Sequence, residues 1–157
     1  FCNTSDRNIL SQVLNNYDQE TSDFFRWKVS YTRSEISELV RERTGIDFGA
    51  VTSLEPLTRG TSGRIVRLRI SGEKKTMIIG KELEIRKALS RTHLYSSAFF
   101  VETVAGDGEM TFILHGAGWG HGVGFCQIGA AVMGASGYSY RDILSHYFVN
   151  SAIQKIY

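Results

Sequence analysis

The sequence predicts an α+β fold in which antiparallel strands form a meander, several short helices pack beside them, and a glycine-rich loop leads into a helix. Three observations support this prediction. Helical and strand-like segments follow one another without the repeated strand–helix–strand order of a parallel sheet. Short strand-like runs are separated by turn signals at residues 60–63 and 72–74. Capping-box patterns at residues 32–35 and 139–142 indicate two helix starts.

A first helix is expected over residues 3–17. Thr4 or Ser5 would be its N-cap, and the pair Asn15-Asn16 would end it. Its apolar stripe consists of Ile9, Leu10, Val13 and Leu14.

Residues 24–31 alternate between apolar and polar side chains and predict a strand. The capping box of Thr32 and Glu35 then starts a second helix, and Gly45 is a natural C-terminal stop for it. The core face of this helix consists of Ile36, Leu39 and Val40.

Residues 48–116 predict mainly strands. Three runs bounded by glycine turns indicate a meander of neighbouring antiparallel strands. A short helix follows over residues 81–89, and the turn at Gly106-Asp107-Gly108 predicts a hairpin between two further strands. The expected strands span residues 50–57, 64–72, 75–80, 97–105 and 109–116.

Two helices are predicted near the C-terminus. Residues 125–133 form the first, in which Gly129 allows close approach of a neighbour. Ser139, with Asp142 three residues later, begins the second. Their apolar residues are Ile128, Ala131 and Val132, and Ile143, Leu144, Tyr147 and Phe148.

With 157 residues, the chain is expected to be a single domain over residues 1–157. A hydrophobic content of 42% and a charged content of 22% exclude disorder as the main state. No apolar run approaches the roughly 20 residues of a membrane-spanning helix, so no membrane span is predicted. Because the sequence starts at Phe1, we expect it to be part of a longer protein.

The net charge of +2 is too small to indicate a nucleic-acid partner. Residues 59–91 nevertheless hold ten basic and three acidic residues, a local net charge of +7. This stretch either faces an anionic partner or forms the solvated side of a strand. We favour the second interpretation, because Arg67 and Arg69 alternate with apolar residues. No nucleic-acid partner is therefore expected.

The glycines are concentrated near the C-terminus, with eight of the 16 inside residues 116–137. In HGAGWGHGVGF they alternate strictly, so an extended backbone would place all the other side chains on one face. Two imidazoles and an indole on that face are suited to stacking on sugar rings and to hydrogen bonding. The predicted substrate-binding residues are His115, Trp119, His121 and, close by in sequence, Gln127.

This segment has several alternative interpretations. The patterns of a phosphate loop and of a dinucleotide fingerprint are absent. His115, His121 and Cys126 have the ligand types of a metal site, but their spacing matches no standard motif. A purely structural interpretation, in which the glycines serve a tight chain crossing and the histidines satisfy backbone groups, also stays open.

The segment HGAGWGHGVGFCQIGAAVMGASGYSYRDILSHYF closely resembles the C-terminal signature of the sporulation stage II protein D family, also called the amidase-enhancer LytB family. That signature runs G-x-G-W-G-H-G-V-G-x-x-Q-x-G-A, followed by G-x-x-Y-x-x-I-L-x-x-Y-Y. The resemblance extends over residues 48–157, which would be the family core. Residues 1–47 resemble a connecting helical region of Bacteroides-like members.

The resemblance implies a peptidoglycan lytic transglycosylase that acts on denuded glycan strands in the cell envelope, outside the cytoplasm. Such an enzyme needs one glutamic acid to protonate the glycosidic oxygen, because the 6-hydroxyl of the muramic acid attacks in place of water. Other members are described as enhancers of a cell-wall amidase, which implies an amidase as a second partner. The alternative function is therefore a non-catalytic wall-binding module that activates an N-acetylmuramoyl-L-alanine amidase.

The family's proposed catalytic Glu lies in a block resembling K-A-Q-A-x-A-A-R-T-Y, and no such block occurs in these 157 residues. We therefore expect no catalytic residue in this chain, which would supply part of the substrate groove. No cofactor is expected apart from a structural zinc, implied by the Cys/His clusters of some relatives. Cys2 would be one ligand of that zinc, and the other ligands would lie outside this chain.

Overall fold

A computed structural model describes residues 1–13, 25–92, 94–106 and 108–156. Within these ranges, short helices and two antiparallel sheets confirm the predicted α+β fold. None of the helices in the described ranges is long and apolar enough to cross a membrane. The helices are α1 (Arg7–Val13), α2 (Arg33–Thr44), α3 (Glu82–Ala88), α4 (Gln127–Ala135) and α5 (Tyr140–Tyr147), and the strands are β1 (Arg26–Thr32), β2 (Val51–Arg59), β3 (Ile65–Gly72), β4 (Thr76–Gly80), β5 (Phe99–Ala105) and β6 (Met110–Ala117).

The chain divides into two compact units. The larger unit is Arg26–His121, and the smaller unit combines Phe1–Phe25 with Gly122–Tyr157. All six strands described belong to the larger unit, together with α2 and α3, whereas α1, α4 and α5 belong to the smaller one.

The larger unit contains two three-stranded antiparallel sheets. In one sheet β2, β3 and β4 are neighbours in sequence order, so the predicted meander is confirmed. In the other sheet β6 lies between β1 and β5. Its pairing with β5 is the predicted hairpin, but its pairing with β1 joins segments that are far apart in the sequence.

The core of the larger unit lies between α2, α3 and the inner faces of the sheets. Side chains alternate between the two faces of each strand, and those on the inner face are buried, such as Leu68 and Ile70 on β3. Arg67 is exposed and Arg69 pairs with Glu55 at 2.7 Å, which agrees with the solvated strand side expected for the basic stretch. The fully buried large side chains include Ile36, Val40, Phe48, Val51, Ile65, Ile85, Leu89, Phe112 and Leu114.

Helix α2 begins and ends where the sequence predicts. The Thr32 hydroxyl accepts a hydrogen bond from Glu35 N at 3.2 Å, and the Glu35 carboxylate accepts one from Thr32 N at 2.8 Å. Gly45 ends the helix in a left-handed conformation with φ of 72°, and its N–H donates to Arg41 O. These local hydrogen bonds orient α2 so that its apolar face covers the core.

Helix α1 begins at Arg7, so the predicted start at residue 3 with Thr4 or Ser5 as N-cap is wrong. The physical reason is that Asp6 also has an N-cap side chain, and its carboxylate accepts a hydrogen bond from Asn8 N at 2.9 Å. Thr4 supports this turn by accepting from Asp6 N. The predicted helix end at residues 15–16 lies outside the described residues.

In the smaller unit α4 packs against α1 and α5. Gly129 of α4 allows the close approach predicted for it, because the Tyr147 hydroxyl occupies the space that a side chain there would need. The residues predicted to form the α4 core face are half-buried, whereas Gly129 and Met133 are buried. The capping box of Ser139 and Asp142 starts α5 as predicted.

Candidate functional site

The backbone after β6 is not extended. Strand β6 ends at Ala117, and Gly118, Gly120 and Gly122 then have φ values of 66°, 69° and 67°. Such left-handed residues turn the chain at every second position, which removes the alternation of side chains between two faces. The predicted extended segment carrying six side chains on one face is therefore wrong beyond Ala117. Gly118, Gly120 and Gly122 are needed because this backbone has a positive φ at each of them.

Hydrogen bonds from two side chains of the larger unit hold this turning backbone. The guanidinium group of Arg64 donates to Trp119 O at 2.9 Å and to Gly120 O at 2.8 Å. The indole N–H of Trp27 donates to Gly118 O at 3.1 Å. Because three successive carbonyl groups are bound by side chains, the position of the Trp119 ring is set by the tertiary structure.

A second set of contacts ties the same segment to residues 95–98. Gly120 N donates to Tyr95 O at 2.8 Å, and the Ser96 hydroxyl donates to Ala117 O at 2.9 Å. The rings of Tyr95 and Trp119 stack nearly parallel, with centroids 4.8 Å apart and an interplanar angle of 19°. We call this pair the aromatic stack.

The aromatic stack is partly accessible. Tyr95 is 37% exposed, and Trp119 is half-buried against the core. On its inner side the Tyr95 ring contacts Trp27, with centroids 5.7 Å apart. The stack therefore has a supported inner side and an outer aromatic surface, which is suited to stacking on a planar or sugar ring.

His115 lies in a different environment. Its ring stacks on Phe100 of the neighbouring strand β5, with centroids 4.7 Å apart and an angle of 10°. Its Nε2 atom is 2.7 Å from a carboxylate oxygen of Glu102. Phe100 is 59% exposed, and Lys28 of β1 is opposite His115 in the strand register. We call Phe100, Glu102 and His115 the outer patch.

The aromatic stack is connected to the core side of the larger unit, whereas the outer patch lies on the solvent face of the sheet formed by β1, β6 and β5. Gly116 is covered by the buried indole of Trp27, so its neighbour His115 points to the solvent side. Trp119 is connected to the core side through Tyr95 and Trp27. The prediction that His115 and Trp119 share one face is therefore wrong, because the chain turns between them.

The other two predicted substrate-binding residues are both exposed. His121 is the last residue of the larger unit, and Gln127 is the first residue of α4 in the smaller unit. The structure gives each of them access to solvent. Their part in substrate binding stays a prediction.

The two cysteines are free, half-buried thiols within the smaller unit. Burial raises the pKa of the Cys126 thiol, and the neighbouring Cys2 thiol adds to this increase. Within the described residues, no cluster of three or more His, Cys, Asp and Glu side chains could hold a metal ion. The role of Cys2 as a zinc ligand therefore stays a prediction.

A cleft of about 640 Å³ lies elsewhere in the larger unit, along the first half of α2. Its lining mixes both signs of charge, including Arg33, Arg41, Asp47 and Glu109. A hydrogen bond from the Lys74 side chain is the main cause that lowers the pKa of Asp47, and hydrogen bonds from Ser34 lower that of Glu109. These carboxylates are thus engaged by the protein itself, and the cleft points to no particular ligand.

Sequence reasoning missed four residues of these surfaces: Arg64, Tyr95, Phe100 and Glu102. Arg64 lies in the basic stretch, where nothing local distinguishes it from its neighbours. Phe100 and Glu102 could have been found, because they alternate with the more buried residues of β5.

Residues 1–124 match the family described as "Domain of unknown function (DUF8618)". The chain belongs to this family. The DUF8618 match includes residues 1–47 and covers the sheets, the aromatic stack and the outer patch, and it ends just before α4. The description of DUF8618 assigns no activity. No curated protein matches the chain.

Proposed function

We propose that this chain binds the glycan strands of peptidoglycan and forms the substrate-groove part of a lytic transglycosylase that acts on denuded strands. The observation that carries this proposal is the aromatic stack of Tyr95 and Trp119. Trp119 belongs to the segment that resembles the signature of the sporulation stage II protein D family. An accessible aromatic face beside polar backbone groups is a typical sugar-binding surface. The corresponding location is the cell envelope, outside the cytoplasm.

In this proposal the chain positions the substrate and a glutamic acid outside it supplies the proton. Protonation of the glycosidic oxygen weakens the bond to the anomeric carbon, and the 6-hydroxyl of the same muramic acid attacks that carbon. An anhydro ring forms, the leaving sugar keeps the proton as a new hydroxyl group, and the carboxylate takes up the proton that the 6-hydroxyl loses. The stack would contribute by holding one sugar ring parallel to the aromatic face, so that the reacting bond stays aligned with the acid.

A second candidate is a non-catalytic wall-binding module that enhances a cell-wall amidase. The contacts of Glu102 and Glu82 with neighbouring basic side chains favour it for this chain by itself. Glu102 is 2.7 Å from His115, and Glu82 is 3.2 Å from Arg86. A glycosidase acid is typically a carboxyl group in an apolar pocket that keeps it protonated, unlike a carboxyl group in contact with a basic side chain.

Binding to glycan tests both candidates together. Purified chain is incubated with denuded glycan strands, and the bound fraction is measured for the wild type and for Trp119→Leu. Loss of the aromatic face should weaken binding about fivefold, since a stacking contact contributes roughly 1 kcal/mol beyond buried area. Ile78→Ala is the matched control, because it removes exposed apolar surface on β4 and should bind as the wild type does. Unchanged binding by a folded Trp119→Leu chain would contradict the proposal.

Cleavage separates the two candidates. Denuded strands are digested with the full-length protein, and the products are analysed by mass spectrometry for anhydro-muramic ends. Such ends are expected for the transglycosylase. A folded full-length protein that gives none, but increases the rate of a cell-wall amidase on the same wall, would establish the enhancer function.

A further inference from the structure

Two cysteines that are 124 positions apart in the sequence both belong to the smaller unit. The Cys2 thiol is close enough to the Cys126 thiol for the two groups to interact electrostatically. Cys126 is the N-cap of α4, where its sulfur accepts a hydrogen bond from Gly129 N at 3.4 Å. Both thiols are half-buried, and neither is part of a disulfide.

The approach of Cys2 to α4 does not depend on the thiols. The Phe1 ring lies edge-on to Tyr138 at 5.7 Å and to His146 of α5 at 5.6 Å. On the other side of Cys2, helix α1 packs against α4. Contacts before and after Cys2 therefore hold this residue beside α4 and α5, and Cys126 is the N-cap of α4.

Tyr147 completes the surroundings of the pair. Its hydroxyl group fits against Gly129, one turn along α4 from Cys126. Burial raises the pKa of Tyr147 to about 12, and the nearby Cys126 and Cys2 thiols contribute to the increase. The cysteine pair thus lies in a defined, partly enclosed site of three side chains.

We propose that Cys2 and Cys126 are a disulfide-forming site, which is closed by thiol–disulfide exchange with an oxidising disulfide such as oxidised glutathione. The thiolate of one cysteine attacks the oxidant, forming a mixed disulfide and releasing one reduced thiol. The second cysteine attacks the protein sulfur of this mixed disulfide and releases the other reduced thiol. Two protein thiols are oxidised, one disulfide is reduced, and the two protons leave on the released thiols.

The bond would tie the N-terminal segment to the first turn of α4. A cross-link between residues 2 and 126 closes a long loop, so it removes much conformational freedom from the unfolded chain. The inference is independent of the proposed glycan binding, because it rests on contacts within the smaller unit alone. An oxidising compartment would favour the closed form.

The test uses the chain treated with oxidised glutathione under native conditions, followed by blocking of free thiols and digestion with trypsin. The expected product is a cross-linked pair of peptides, residues 1–7 joined to residues 92–141, with the mass of the two minus two hydrogen atoms. The oxidised wild type should melt on the order of 10 °C higher than the reduced form. Cys2→Ser should show neither the cross-linked peptide nor the redox-dependent melting shift.

Cys126→Ser provides a second control that should fold well, since serine is a strong N-cap and preserves the start of α4. The proposal is overturned if both native thiols stay reduced while those of the denatured chain react. It is also overturned if the products are only glutathione adducts on each cysteine or disulfides between two copies of the chain. A cross-linked peptide without any melting shift would contradict the structural role of the bond.

Discussion

The indole of Trp27 on β1 covers Gly116 on β6 so closely that its six-membered ring occupies the space of any side chain at residue 116. These two residues are opposite one another in the strand register. Trp27 also donates its indole N–H to Gly118 O, so one side chain both fills the core and holds the glycine-rich segment. Gly116 is therefore required for packing, whereas Gly118 is required for its positive φ.

Gly116→Ala should destabilise the larger unit. The added methyl group must displace the buried Trp27 ring or separate β1 from β6, at a cost of about 3 kcal/mol. Urea unfolding followed by tryptophan fluorescence measures this loss. The control is Gly60→Ala, where the new methyl group meets no atom closer than 3.9 Å and should change stability little. Equal stability of the two variants would show that the sheet tolerates displacement of the indole.

Arg86→Met should be much more destabilising than Lys87→Met on the same helix. Arg86 is buried, pairs with Glu82 at 3.2 Å and donates to Leu94 O at 2.6 Å. Its loss leaves a poorly hydrated carboxylate and a carbonyl without their donor, at a cost of about 3 kcal/mol.

Lys87 forms an exposed pair with Glu84, so Lys87→Met should change stability by less than about 0.5 kcal/mol. The two variants are compared by chemical denaturation at equal salt concentration. Similar losses would mean that the Arg86 pair behaves as a surface ion pair.

Arg64→Met should loosen the glycine-rich segment, since it keeps the aliphatic stem but removes the donors to Trp119 O and Gly120 O. The expected loss of stability is about 2 kcal/mol. Hydrogen exchange at the Gly120 amide, which donates to Tyr95 O, should become faster. Arg67→Met, at an exposed position on β3, is the control and should leave this exchange rate unchanged.

Stability should fall with increasing pH between about 10 and about 12, partly because of Tyr147. Its pKa in the folded chain is about 12, whereas an unfolded tyrosine titrates near 10. Between these values the folded chain retains a proton that the unfolded chain has lost, so the stabilisation present below pH 10 is lost as pH rises.

Tyr147→Phe should remove this part of the pH dependence, and Tyr140→Phe, at an exposed ring, should not. Urea unfolding at a series of pH values measures the difference. Identical pH profiles for wild type and Tyr147→Phe would exclude Tyr147 as the responsible group.

Local hydrogen bonding explains why much of the fold could be predicted. The capping boxes at Thr32 and Ser139 and the glycine stop at Gly45 each depend on groups within four residues, so sequence patterns identify them. The meander is also a local structure, because short turns force successive strands to pair. The start of α1 was missed for the same reason, since Asp6 competes with Thr4 and Ser5 for one capping role.

The surfaces around the glycine-rich segment depend on contacts between distant residues. Arg64 and Gly120 are 56 positions apart, and Trp27 and Gly118 are 91 apart. Sequence patterns name the residue types but contain no local signal for such pairings. Likewise, no local sequence pattern indicates that Cys2 and Cys126 interact, because only the folded chain brings them together.

The glycine periodicity shows where sequence information ends. Alternate glycines suffice to establish that this backbone needs freedom from side chains at every second residue. The same period is compatible with an extended strand and with a chain that turns at each glycine, because glycine adopts both signs of φ with similar ease. Tertiary contacts stabilise the turning conformation. Arg64, Trp27 and Tyr95 form hydrogen bonds with backbone groups of residues 118–120, which an extended chain would place elsewhere.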